Sequence, residues 1–134
     1  MIEVSNSTEQ TVQPNQSAVF DANVLKTGCD ASHRLNSGVV TLRAKCAVYE
    51  VHFSANISST AAGTAQLAIS LDGEPLPETT MINSVGTAGD PDNAATSTLV
   101  RTDGCCCGRI SVTNTGTNPV VISANPSLFV KRVC

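Results

Sequence analysis

Tryptophan is absent from this 134-residue chain, and aromatic residues make up only 3% of it. A core built without large rings must come from Val, Ile, Leu and Ala, which fit pleated sheets better than ring-stacked pockets. Charge is also scarce, at 14%, against roughly 25% in average proteins. The surface therefore rests on Ser, Thr, Asn and Gly, which are easily buried against another chain. The net charge is −3 and the eight Lys and Arg are scattered. No basic footprint for nucleic acid or an anionic membrane is present. No apolar run approaches the roughly 18–20 residues of a membrane-crossing helix. The opening "MIEVSNSTEQ" lacks the basic and apolar regions of a secretory signal, so synthesis in the cytoplasm is expected.

Catalytic and metal motifs are missing too. There is no GxSxG, HExxH, phosphate-binding loop or CxxC. The two histidines, His33 and His52, stand in contexts without a local nucleophile and acid, and both read as surface or intersubunit polar residues. A ring of His52 side chains around a symmetry axis is a lesser alternative. The expectation is a protein that is not an enzyme and has no cofactor.

What is present is β-pattern. In "AVYEVHFSANIS" (47–58), Val51, Phe53, Ala55 and Ile57 share one face and Glu50, His52, Ser54 and Asn56 the other, the period of two of a half-buried strand. "TAQLAISLDG" repeats it with Leu67, Ile69 and Leu71, and Asp72-Gly73 then reads as a tight turn. "SAVFDANVL" (17–25), "GVVTLRA", "TSTLVRT", "GRISVTN", "PVVISA" and "SLFVKRV" are further strand candidates, and "NTGTNP" (114–119) reads as a hairpin connection. No amphipathic helix stands out. Short strands at about ten-residue spacing predict an all-β sandwich or barrel. The polar segment 1–13 reads as an N-terminal arm and 14–134 as a single domain, with Ile2 and Val4 as candidate docking residues of the arm.

The order of these pieces carries a resemblance. The strand 49–55 with its Tyr and Phe, the strand-turn "LAISLDGEPLP" and the segment "ISVTNTGTNPVVI" resemble the jelly-roll superfamily of the tumour-necrosis-factor and complement globular heads. The likeness is greatest to bacterial and phage versions, such as the heads of spore-surface collagen-like glycoproteins, and spans residues 12–133. It implies an antiparallel jelly-roll sandwich packing as a homotrimer. The chain departs from the pattern in lacking a collagen-like stalk, in carrying Cys46 where a glycine often precedes the aromatic strand, and in its cysteine triplet.

The six cysteines are Cys29, Cys46, Cys105, Cys106, Cys107 and Cys134. Disulfides between positions remote in sequence, buried or free thiols, and a metal site drawn from two cysteines with Cys29 or His33 all remain open readings. The segment 83–95 reads as an exposed binding loop, with Val85, Asp90, Asp92 and Asn93 as candidate contacts. Asp90, Asp92 and Asn93 also offer oxygens of the kind calcium takes. Asn6 and Asn56 stand in glycosylation sequons.

The reading that joins these features is a structural virion protein, a trimeric capsid decoration, cement or head-fibre protein of a phage. Its expected partners are further copies of itself and a major capsid or other shell protein, with no nucleic acid and no membrane. The alternatives are a trimeric head that binds a receptor or glycan, and a spore or cell-surface coat head.

Overall fold

The computed structural model describes residues 1–103 and 108–134. Among these residues thirteen strands form two antiparallel sheets. In chain order they are β1 (Ile2–Ser5), β2 (Gln10–Val12), β3 (Ala22–Lys26), β4 (Ala31–His33), β5 (Val40–Leu42), β6 (Val48–Ser59), β7 (Gly63–Leu71), β8 (Glu74–Pro75), β9 (Met81–Val85), β10 (Asp92–Arg101), β11 (Gly108–Asn114), β12 (Val120–Ile122) and β13 (Ser127–Arg132). The first sheet runs β2-β12-β6-β13-β1-β3, with β10 on the other edge of β6. The second runs β4-β5-β11-β7-β8, with β9 also paired to β7.

The alternation read for β6 places Val51, Phe53, Ala55 and Ile57 inside, and Tyr49 joins them. They meet Leu67 and Ile69 of β7, Ile110 and Val112 of β11, and Leu128 and Val130 of β13 in one continuous core. The ring of Tyr49 is fully buried. Its hydroxyl donates to the Asp30 carbonyl at 2.6 Å and accepts the Ala44 N–H at 3.1 Å, so the polar tip costs nothing in unmet hydrogen bonds. Among the described residues every buried side-chain nitrogen and oxygen has a partner.

The turn after β7 has the expected form. Asp72 and Gly73 both adopt positive φ, 53° and 87°, as the two-residue turn matching strand twist requires. Gly38 is needed for another reason: a Cβ there would lie 2.3 Å from the Ala18 carbonyl oxygen.

Four expectations are corrected. Segment 1–13 is not an arm. Ile2 and Val4 are completely buried because β1 lies hydrogen-bonded between β13 and β3. The polar average of the segment hides a short I-E-V-S alternation. Second, the strand expected over 17–25 begins only at Ala22. Before it the chain crosses to β11, where Ala18 N–H donates to Val112 O at 2.8 Å, and then returns. Third, β9 runs to Val85 and β10 starts at Asp92, so the loop is shorter than 83–95. Val85 is buried, not exposed. Asp92 and Asn93 pair with Ile57 and Asn56 of β6, and their low strand propensity concealed this.

Fourth, "NTGTNP" is not a hairpin. It carries the chain from β11 in the second sheet to β12 in the first. Asn114 is the pivot and is fully buried. Its Nδ2 donates to Val12 O at 2.9 Å and Asn118 O at 2.8 Å, and its Oδ1 accepts the Gly116 N–H at 2.9 Å. Asn114→Ala leaves these groups without partners. It is expected to cost about 3 kcal/mol, read as a lower urea midpoint with unchanged slope.

The β1–β2 turn is tied to the crossing segment at Asp21, whose carboxylate accepts both the Ser7 hydroxyl and the Ser7 N–H. The hydroxyl bond is the main cause that holds Asp21 below its ordinary carboxyl value. A lowered value means this contribution is full above the ordinary carboxyl range and fades as pH falls through the folded value. Ser7→Ala is expected to raise the Asp21 titration midpoint in a carbon-detected NMR titration.

Candidate interaction surfaces

The outward face of the first sheet is assembled by cross-strand pairing. On β6 it carries Glu50, His52, Ser54 and Asn56. Phe129 of β13 and Ser97 of β10 flank His52, while Lys131 and Leu99 flank Glu50. Glu3 of β1 lies beyond Phe129 and its Oε2 accepts the Ser127 hydroxyl at 2.8 Å. His52 Nε2 stands 2.7 Å from Glu50 Oε1, and its ring lies 5.6 Å from that of Phe129. A shallow hollow of about 400 Å³ beside His52 is lined by Ser54, Ala95, Ser97 and Ser127.

Two residues break the alternation. In β10 Val100 is buried, yet its neighbour Leu99 is 64% exposed on the outward face. In β13 Leu128 and Val130 fill the core, yet Phe129 between them points outward. Neighbours across β6, these two side chains put apolar surface on an otherwise polar sheet face. "LFV" and "LV" carry this in the sequence, but it is legible only once the phase of the flanking residues is known.

The described cysteines gather at one end of the sandwich. Cys29 lies in the turn between β3 and β4. Cys46 lies in the turn before β6 with φ 49°, its N–H bonded to Asp103 O at 3.2 Å. Cys134 follows β13, and its carbonyl accepts from Arg132 Nε at 3.1 Å. The same guanidinium reaches Asp30 Oδ1 at 3.3 Å, which joins the turn of Cys29 to the C-terminal strand. All three side chains are exposed free thiols, so of the buried or free alternatives these three are free and not buried, and no disulfide joins cysteines among the described residues. Cys105, Cys106 and Cys107 lie outside the described residues. Among those described, no three His, Cys, Asp or Glu side chains come within reach of one metal ion.

The remaining candidates are dispersed. Asp90 sits in the exposed loop 86–91, at the opposite end from the thiols, where its N–H bonds Thr87 O. Asp92 Oδ1 accepts the Asn93 N–H, and Asn93 Nδ2 donates to Asn56 Oδ1. Asn6 is buried and its amide donates to Thr8 O, which closes that sequon. His33 ends β4, with Nδ1 2.6 Å from Asn23 Oδ1 and Nε2 2.8 Å from Ser37 O. Its ring stands edge-on to buried Phe20, a position that supports the crossing segment. Among the described residues no helix is long and apolar enough to cross a membrane.

Solved structures share this two-sheet arrangement over nearly the whole chain. The tumour-necrosis-factor protein Eiger from S. frugiperda superposes with a TM-score of 0.76 at 11% identity, covering 99% of this chain and 91% of that one. The fold is the jelly roll of the tumour-necrosis-factor and complement heads. The globular domain of the zebrafish complement 1qA protein gives a TM-score of 0.64 at 11% identity, over 96% of this chain and 94% of that one. The PRD1 vertex protein P5 gives 0.57 at 11% identity, over 99% and 94%. No family model matches the sequence, and no curated protein does. The jelly roll thus confirms the architecture expected from the order of strands.

Brief alkylation of the native jelly roll is expected to label Cys29, Cys46 and Cys134 without denaturant, read by peptide mass spectrometry. Protection of any of the three would show that its surface is covered.

Proposed function

We propose that the chain is a homotrimeric head with no catalytic activity, assembled through the outward face of β10, β6, β13 and β1, and that it serves as a surface protein of a phage virion. The observation that carries the assembly is the out-of-phase pair Leu99 and Phe129 on one sheet face. Around them Glu50, His52 and Lys131 place both signs of charge side by side, so copies meeting on this face are not forced to bury charge of one sign. Closed symmetry also hides the face without runaway association. The fold shared with the heads named above supports the trimer, and its likeness to a vertex protein supports the virion setting. Capsid decoration or cementing, with a major capsid protein as partner, is the specific role proposed.

The oligomer is tested by native mass spectrometry. The parent chain is expected at three times its monomer mass. Leu99→Glu is expected to shift the mass to monomer. Ile82→Glu, at a residue 60% exposed on the other sheet, is expected to leave the trimer intact. A monomeric parent chain would refute the assembly. The virion role is tested separately by co-sedimentation with capsid shells that lack the protein, where saturable binding is expected and its absence removes the cement role.

A further inference from the structure

The second sheet also has an outward face, and its chemistry is different. The register of β5, β11 and β7 sets Thr41 opposite Arg109. Asp72 lies on the other side of Arg109, where Asp72 N–H donates to Arg109 O at 2.8 Å and Arg109 N–H donates to Asp72 Oδ1 at 3.0 Å. One step along the same face, Ser111 stands opposite Ser70, with Val39 next to it on the β5 side. Ser17 closes the far wall, its hydroxyl 3.2 Å from Thr113 Oγ1. Ser17, Val39, Thr41, Asp72, Arg109 and Ser111 line a concavity of about 780 Å³, within the size range of small-molecule sites.

The polar groups in this hollow are unevenly used. Ser70 donates to Thr113 at 2.9 Å and is satisfied. Ser111 is 8% exposed and lines the hollow; its hydroxyl is not buried and makes no hydrogen bond among the described residues. The hydroxyl of Thr41 and the guanidinium of Arg109 likewise have no partner among the described residues. Asp72 spends Oδ1 on the Arg109 N–H and keeps Oδ2. The hollow thus presents a fork of guanidinium donors, two unused hydroxyls, one carboxylate oxygen that accepts, and the apolar side of Val39.

We infer that this hollow binds a carboxylate-bearing saccharide, a uronate or related acidic sugar. The Arg109 guanidinium matches a planar carboxylate bidentately. Asp72 Oδ2 accepts from a sugar hydroxyl, and Thr41 and Ser111 donate or accept as the ring requires. Asp72 also sets the charge. It is bonded to the Arg109 backbone through both its N–H and its Oδ1, and its carboxylate opposes a phosphate dianion more strongly than a single negative charge flanked by hydroxyl donors. The site lies within one chain, on the sheet opposite the proposed trimer face. It therefore does not depend on the assembly, and a trimer would turn three copies outward and raise avidity.

The test is backbone-amide NMR of the labelled protein titrated with sodium glucuronate, beside methyl glucoside and inorganic phosphate. Saturable shifts centred on Thr41, Asp72, Arg109 and Ser111 are expected with glucuronate. Arg109→Gln, at an exposed side chain, is expected to weaken them by roughly tenfold or more while the rest of the spectrum stays in place. Ser111→Val, which fills the hollow, is the second variant and is expected to weaken binding as well. No saturable shift, equal binding of phosphate, or equal binding of methyl glucoside would each overturn the assignment. Native mass of the same samples reports the trimer independently, so failure of one proposal is distinguishable from failure of the other.

Discussion

Strand β6 is hydrogen-bonded along both edges, by β10 on one side and by β13 and β12 on the other, and it holds a strict alternation for most of its length. A slip of one residue would send Tyr49, Val51, Phe53 and Ile57 outward and bring Glu50, His52, Ser54 and Asn56 into the core. That penalty fixes the register of three neighbouring strands at once. It also decides which side chains appear on the outward face, so the position of His52 beside Phe129 is a by-product of core packing. Truncating Phe53 would remove an enclosed ring of the kind whose loss costs about 3–5 kcal/mol.

Much of the fold was legible. The long strands β6, β7 and β11 stand out because most of their inward residues are Val, Ile, Leu or aromatic and most of their outward residues are polar. The Asp72-Gly73 turn was visible because two consecutive positive φ values select that pair of residues. What escaped were elements whose order comes from tertiary contact. Strand β1 has four residues, and Ile2 and Val4 become core only once β13 and β3 flank them. The start of β10 is Asp-Asn-Ala, which no propensity marks as strand and which the far end of β6 holds in place. "NTGTNP" is good turn chemistry, but a local turn does not say whether the next strand returns to the same sheet. Asn114 decides that by reaching Val12, more than a hundred positions away.

The candidate sites were less legible than the fold for the same reason. Leu99 and Phe129 look like ordinary strand residues until the phase of their neighbours is known. Thr41, Arg109 and Ser111 come from two strands and Asp72 from the turn after a third, and nothing in their local spacing joins them. The cysteines were conspicuous in sequence, but only the turns before β4 and β6 and the end of β13 show that Cys29, Cys46 and Cys134 share one end. In each case the missing information is register between strands distant in the chain.

The common location of those three thiols gives the molecule a chemical polarity. Its two broad faces carry no described sulfur, and neither does the end formed by the loop 86–91 and the turn after β11. Attachment through Cys29, Cys46 or Cys134 would therefore hold copies the same way up, with both sheets left in solution. Crosslinks made between copies through these thiols would likewise join ends to ends and leave the flanks of the jelly roll uncovered.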